Sequence, residues 1–396
     1  MPHIRYLTIV LAAIVFAPSA VANNVQPVPV APEDYGDFYD VSEVPAGSPG
    51  DLLKFQEITP FAPNSRAWRI LYLSTSAQGE PVVVSGLVGV PAGEAPAQGF
   101  DIVSWAHGTK GVNDRCAPSR GYRVSHNFYA IAPEILDEGW IAVGTDYEGL
   151  GTAGVHPYLI SSSEAYNQVD SIRAVAQLPT VKVSNAVVGW GRSQGGHATL
   201  ALAEEVNAYA PEMDLRGVIS AAPVGDMSYV YFGSAFKGAS FNWLVAAGLR
   251  AAWDIDLAPY YDEDALAEMD ALIAASEACY PEFDVAVKAR DGVGMRWSLL
   301  WRWGDLTKMQ ELLVLSSVGD DRINVPVLVS QGTDDKIVPQ SMTDALVEQM
   351  CAAGSQVEYQ VHEGESHNDS SFLHMATFRK WTRQRFLGQP ARGCQD

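Results

Sequence analysis

Apolar positions along this chain fall into short, near-continuous runs separated by longer polar-apolar stretches of helical period. Residues 66–75 and 81–90 are rich in β-branched and aromatic side chains. They read as two strands of a hairpin, with Ser76-Ala77-Gln78-Gly79-Glu80 as the turn. Strand-like runs follow at 101–106, 140–144, 187–190, 217–222, 325–330 and 357–361. Helix-like stretches at 128–138, 164–178, 194–209 and 372–386 alternate with them. Runs this continuous belong to strands buried on both faces, so the expected class is α/β, a mainly parallel central sheet flanked by helices.

The alternation stops between residues 226 and 323, where helix-like and aromatic-rich stretches replace strands. An insertion of that length at a strand end predicts a helical cap over the edge where open α/β sheets bind ligands. The domain reading is a catalytic α/β unit from 23–225 and 324–396, interrupted by the cap at 226–323. Residues 23–49 are rich in Pro and Gly and are expected to wrap the surface without forming a domain. No internal repeat or low-complexity tract is visible.

The first residues look like an export signal. Arg5 supplies positive charge, residues 7–16 form an apolar run, and Ala20-Val21-Ala22 is a small-residue cleavage site, so residues 1–22 are expected to be removed. The run is shorter than a spanning helix requires, and no later run is long enough, so no stable membrane insertion is expected. The expected location is secreted or periplasmic. A formal net charge of −21 repels phosphate backbones and excludes nucleic acid as a partner. The four cysteines, Cys116, Cys279, Cys351 and Cys394, lack C-x-x-C spacing. In an exported protein they read as two disulfides, with three pairings open.

Chemistry enters at Gly189-Trp190-Gly191-Arg192-Ser193-Gln194-Gly195-Gly196. A strand, Gly-x-Ser-x-Gly and a helix place Ser193 on a tight turn with its hydroxyl exposed and helix amides nearby. A serine hydroxyl needs a general base oriented by a carboxylate, and in this motif the chain order is Ser, acid, His. The run at 325–330 is followed by Gly332-Thr333-Asp334-Asp335-Lys336, and the run at 357–361 by Glu363-Gly364-Glu365-Ser366-His367. Asp334 and Asp335 compete for the acid. His367 is favoured as the base over His362 at a strand end and His374 in the last helix. His197, one turn into the helix after Ser193, reads as structural. Acyl transfer also needs amides aimed at the oxyanion. Gln194 N–H is one candidate; Gly108 or Thr109, in His107-Gly108-Thr109-Lys110-Gly111, supplies the second.

Together with Cys116-Ala117-Pro118-Ser119 and Thr145-Asp146-Tyr147-Glu148-Gly149, these motifs resemble the α/β-hydrolase superfamily, and within it the secretory lipase (lipase A-like) family, over residues 60–390. The resemblance implies Asp335 as the acid, from the Gly-x-x-Asp-x-x-Val-Pro turn. It implies the pairings Cys116–Cys279 and Cys351–Cys394, and places Tyr147 and Glu148 near the site as residues that hold loops together. Two departures are visible. The chain after His367 is short for the C-terminal flap of the fungal lipases, and His-Gly-Thr differs from their oxyanion loop. An esterase with a more open site is equally consistent.

The expected activity is therefore a secreted serine ester hydrolase cleaving acylglycerols or medium-chain acyl esters through an acyl-enzyme on Ser193. A serine peptidase on the same fold and a non-catalytic binding protein are the rivals. Residues 241–253, with Trp297, Trp301 and Trp303 beyond, could pack as core or wall an acyl site. Asp254, Asp256, Asp262, Glu263 and Asp264 lack the alternation of a calcium loop and read as acids opening a helix. No metal and no cofactor are expected, since a serine, a base and two amides suffice; the oligomeric state is not legible.

Overall fold

A computed structural model describes residues 28–29, 37–41, 43–121, 128–236, 240–275, 279–290, 292–296 and 303–394. The expected leader at 1–22, Trp297 and Trp301 lie outside them.

Ten strands form one sheet: β1 (Val28–Pro29), β2 (Leu52–Ile58), β3 (Ser65–Thr75), β4 (Pro81–Pro91), β5 (Phe100–Ala106), β6 (Ile141–Thr145), β7 (Val183–Arg192), β8 (Asp214–Ala221), β9 (Val327–Gly332) and β10 (Val357–His362). Their spatial order is β1-β2-β3-β4-β6-β5-β7-β8-β9-β10. β2, β3, β4 and β6 pair antiparallel in succession; from β6 through β5 to β10 every pairing is parallel. The hairpin of β3 and β4 closes where expected, Ser76 N–H donating to Glu80 O at 2.8 Å.

The helices are α1 (Phe128–Leu136), α2 (Ser161–Val175), α3 (Gln194–Tyr209), α4 (Met227–Phe236), α5 (Phe241–Trp253), α6 (Glu263–Ala274), α7 (Glu282–Ala289), α8 (Trp303–Leu315), α9 (Gln340–Ala352), α10 (Asp369–Phe372) and α11 (Met375–Phe386). On one sheet face α2, α3 and α9 enclose a core around Val169, Leu200, Val206 and Met350. On the other, α1 and α11 bury Ile131, Ile135, Phe378 and Trp381 against Trp105 and Trp190. The central strands are buried on both faces, which is why their sequences read as unbroken apolar runs.

Between β8 and β9 the chain supplies α4 to α8, and its only sheet-like pairing among the described residues is an isolated bridge, Tyr261 to Met295. These helices have their own core, centred on Trp243, Leu244, Tyr261, Phe283 and Met309, which also takes in Tyr158 and Ile160 from the loop before α2. Asp262 caps α6 by accepting from Ala265 N at 2.7 Å, and Glu263 and Asp264 fill its first turn as expected. Asp254 and Asp256 do not open a helix: Asp254 ends α5 with φ 50°, and Asp256 accepts from Ala258 N in the loop between.

Three differences from the sequence reading stand out. β2 was not expected. Its alternation is interrupted by Gln56, which is fully buried because its Oε1 accepts from Arg69 Nη1 at 2.8 Å. α9 was likewise not assigned. The Pro- and Gly-rich segment before β2 does more than wrap: it contributes β1 and buries Phe38 and Tyr39 against Leu53 and Leu71.

Candidate active site

Ser193 stands between the end of β7 and the first residue of α3, with φ 58° and ψ −122°. For a residue with a Cβ this is a strained conformation, of order 1–3 kcal/mol, held only because the surroundings over-determine it. The flanking glycines are part of that constraint. A Cβ on Gly191 would run into the carbonyl of Gly195, and one on Gly195 into that of Ala106. The turn is fastened by Ser193 N–H donating to Ala221 O at 2.9 Å, and α3 starts with His197 N–H donating to Ser193 O at 3.0 Å.

The two other expected partners arrive from neighbouring strands. Asp335 follows β9 and His367 follows β10, and His367 Nδ1 lies 2.7 Å from Asp335 Oδ2. Both are nearly inaccessible. Asp335 Oδ1 accepts from Ile337 N at 2.8 Å and Val338 N at 2.9 Å, while Oδ2 also accepts from Gln331 Nε2 at 3.2 Å. Burial opposes ionisation of this carboxyl, but the His367 hydrogen bond and charge and the two amides outweigh it and hold its pKa below the usual value. Burial lowers the His367 pKa, Asp335 opposes that, and the Arg192 charge adds to the lowering, so the imidazole is neutral near pH 7. Asp334 points outward, its side chain 63% exposed and paired with Lys336 at 2.8 Å. Of the competing histidines, His362 is the last residue of β10 and contacts Ser330 Oγ, and His374 pairs with Glu365; neither meets Asp335.

Two residues that sequence reasoning passed over join the serine turn to the histidine loop. Arg192, immediately before Ser193, donates from Nη1 to Asn368 Oδ1, immediately after His367, at 2.7 Å. Burial depresses this guanidinium to about 10 while the Asp335 charge opposes the shift. The only sequence signal for it was a long cation at the variable position of Gly-x-Ser-x-Gly.

Gly108 packs on the nucleophile turn; a Cβ there would lie 3.6 Å from Ser193 Cβ. Thr109 Oγ1 is 2.7 Å from Tyr158 OH at the rim. The Gln194 side chain runs the other way, donating from Nε2 to Glu164 Oε1 at 2.8 Å and to His156 Nε2 at 2.8 Å. Glu164 Oε2 in turn meets His197 Nδ1 at 2.9 Å, and His197 Nε2 meets Ser316 O at 2.7 Å. His197 is thus the structural residue it was read as, inside a fully buried network behind the turn. Tyr147 and Glu148 hold loops in the same way: Tyr147 OH donates to His107 O, and Ser163 Oγ to Glu148 Oε2. Asp146 ties together two of the family-like motifs, its carboxylate accepting from Ser85 Oγ and from Ser119 N and Oγ.

Ser193 opens into a cavity of about 400 Å³ lined among others by Tyr158, Val224, Val230, Phe241, Tyr280 and Met342. Phe241 and Val230 come from the inserted helices, while most of α5 is core, so both readings of the 241–253 stretch hold for different parts of it. The Trp303 side chain lies outside the described residues. Cys116 pairs with Cys279, joining the oxyanion-candidate loop to the insertion, and Cys351 pairs with Cys394. No helix among the described residues is long and apolar enough to cross a membrane.

Comparison with known proteins bears on the family and the fold. A family model described as secretory lipase matches residues 115–393. A protein of Mycobacterium tuberculosis named a probable inactive lipase is 26% identical over 91% of this chain and 84% of its own length. Lipase 6 of Candida albicans is 25% identical over 92% of this chain and 84% of its own. The X-ray structure of Candida antarctica lipase A in its closed state superposes with a TM-score of 0.74 at 19% identity, over 88% of this chain and 84% of the other. That likeness makes the fold an α/β-hydrolase.

Proposed function

The chain belongs to the secretory lipase family, and on that footing we propose that it is a serine carboxylic ester hydrolase working through an acyl-enzyme on Ser193. The observation that carries the proposal is the His367–Asp335 hydrogen bond of 2.7 Å, docked beside the strained Ser193 turn by the Arg192–Asn368 contact. In this reading Ser193 Oγ attacks the ester carbonyl as His367 Nε2 takes its proton. Asp335 accepts from His367 Nδ1–H and so keeps the lone pair on Nε2. The Gln194 amide and that of Gly108 or Thr109 face the oxyanion. Collapse of the tetrahedral species expels the alcohol, which receives the proton from His367, and water repeats the sequence to release the acid.

The apolar part of the cavity wall, Val224, Val230, Phe241 and Met342, suits a fatty acyl chain, and its size favours medium-chain acyl esters or acylglycerols. The inserted helices act as a cap on this site. Two disulfides fit an oxidising compartment, in keeping with export and removal of the first 22 residues.

The test is hydrolysis of p-nitrophenyl esters from acetyl to palmitoyl by wild type and Ser193→Ala. Turnover by wild type with a loss of at least ~10³-fold in kcat for the variant is the expected result. The proposal fails if no ester is cleaved or the two proteins match. Peptidase or non-catalytic binding would then replace it, and chromogenic dipeptides separate those two.

A further inference from the structure

Around the histidine loop three metal-type side chains converge, none of them among the residues that line the cavity. His362 ends β10, Glu365 lies in the loop that follows, and His374 caps α11. One ring nitrogen or carboxylate oxygen from each lies within 4.8 Å of the other two. The two imidazoles stack with centroids 3.6 Å apart and planes 16° from parallel. His374 Nε2 is 2.9 Å from one Glu365 oxygen and 3.1 Å from the other.

Hydrogen-bond accounting fixes the state of His362. Ser330 Oγ donates its proton to Ser370 O at 2.5 Å. It therefore has only lone pairs left for its 3.0 Å contact with His362 Nε2, so that nitrogen carries the hydrogen. The lone pair of His362 is left on Nδ1. Metal-binding histidines typically have their second ring N–H held in this way by an outer partner, and here Ser330 is already in place.

We propose that His362, Glu365 and His374 form a binding site for a divalent transition metal ion of the zinc type, with water completing the coordination. Two imidazoles and a carboxylate are a suitable borderline donor set. The ion takes the position of the proton that His374 Nε2 gives to Glu365. Nearly parallel rings aim their lone pairs past each other, so seating one ion requires them to splay until the donors are about 3.3 Å apart, as tetrahedral zinc demands. His362 is held by Ser330, so the His374 and Glu365 side chains make the movement; each is about one-fifth exposed, which also gives the ion its entry.

The site brackets His367, with two ligands before it and one after. The same loop is laced to the acid turn by Thr333 N–H to His362 O at 3.0 Å, Asp334 N–H to Glu365 O at 2.9 Å and Gly364 N–H to Thr333 Oγ1 at 2.8 Å. A bound ion would thus clamp strand end, loop and α11 together. Its effect is on the resistance of this loop to opening, while the reaction itself runs without it.

The experiment is titration of the full, EDTA-treated and dialysed chain with ZnCl2 by calorimetry, paired with thermal unfolding. One equivalent of zinc and a rise in Tm with zinc concentration are expected. Glu365→Gln and His374→Gln should each weaken binding by about tenfold or more, with metal-free Tm values close to wild type. Absence of saturable uptake, or a well-folded variant that binds zinc as tightly as wild type, overturns the site. The readout does not involve ester turnover, and Ser193→Ala should give the wild-type isotherm, so this proposal stands or falls apart from the catalytic one.

Discussion

Asp335→Asn isolates the role of the acid, because the structure dictates how the amide must sit. Oδ1 accepts from two backbone N–H groups, Ile337 and Val338 at 2.8 and 2.9 Å. Only an oxygen can occupy that place, so the asparagine NH2 is forced into the Oδ2 position, facing His367 Nδ1 at 2.7 Å. A donor there leaves Nδ1 as the acceptor and drives the imidazole hydrogen to Nε2, the nitrogen that must take the serine proton. Loss of the correct tautomer with geometry otherwise kept costs about 10⁴-fold in kcat, equivalent to about 5 kcal/mol of transition-state stabilisation. The expected result with a p-nitrophenyl ester is a fall of 10³- to 10⁴-fold in kcat with KM within about threefold of wild type. Asp334→Asn is the control: among the described residues that exposed side chain bonds only Lys336, so its activity should stay within about threefold. If Asp335→Asn kept more than a tenth of wild-type kcat, or the Asp334 variant fell as far, the assignment of the acid would be wrong.

Further outcomes follow from packing and charge. Gly195→Ala places a methyl against the Ala106 carbonyl, and soluble expression or Tm should show severe loss; a variant of wild-type Tm would contradict the close approach. Ser193→Gly relieves the positive φ without removing a hydrogen-bonded backbone group, and should raise Tm while abolishing turnover, by about 1 kcal/mol in urea unfolding. Glu164→Gln removes the charge of the partner of fully buried His197. Burial alone would lower the His197 pKa, but the Glu164 hydrogen bond and charge overcome this and raise it above 6.5. A raised histidine pKa stabilises the fold below pH 6.5, and that contribution fades as pH climbs through the folded value. The variant should therefore lose most stability, about 3 kcal/mol or more, near pH 6 and less at pH 9, measured by denaturant unfolding. An equal loss at both pH values would show that the pair is not ionic.

Much of the site was legible because its determinants are local. Gly191 and Gly195 announce a turn too tight for a Cβ, and His367 and the Asp334-Asp335 pair each follow a strand whose apolar run marks it; the choice of Asp335 over Asp334 came from the family-like turn. What could not be read depends on contacts between distant segments. Gln56 looks like a break in β2 until Arg69 is placed beside it. Arg192 and Asn368 are unremarkable until the fold sets them 2.7 Å apart, 176 residues from one another in sequence. The same holds for the chain from His156 through Gln194 and Glu164 to His197, in which each member is explained only by its neighbour in space. Residues 262–264 show the opposite case: acids at a helix start need no partner beyond that helix, and their role was evident from sequence.

The bond between Cys116 and Cys279 spans 163 residues, a loop that contains most of the sheet's central strands as well as α4, α5 and α6. Closing so long a loop removes about 5 kcal/mol of chain entropy from the unfolded state. It also ties the helical segment between β8 and β9 covalently to the loop that follows β5. Beside that bond Lys110 O accepts from Tyr280 N at 2.8 Å, a second tie between the same two segments. Tyr280, next in sequence to Cys279, lines the Ser193 cavity together with Tyr229 and Val230 of α4 and Met342 of α9. Reduction of that single cystine would leave only non-covalent contacts, among them the Tyr280–Lys110 hydrogen bond, to hold the two segments together.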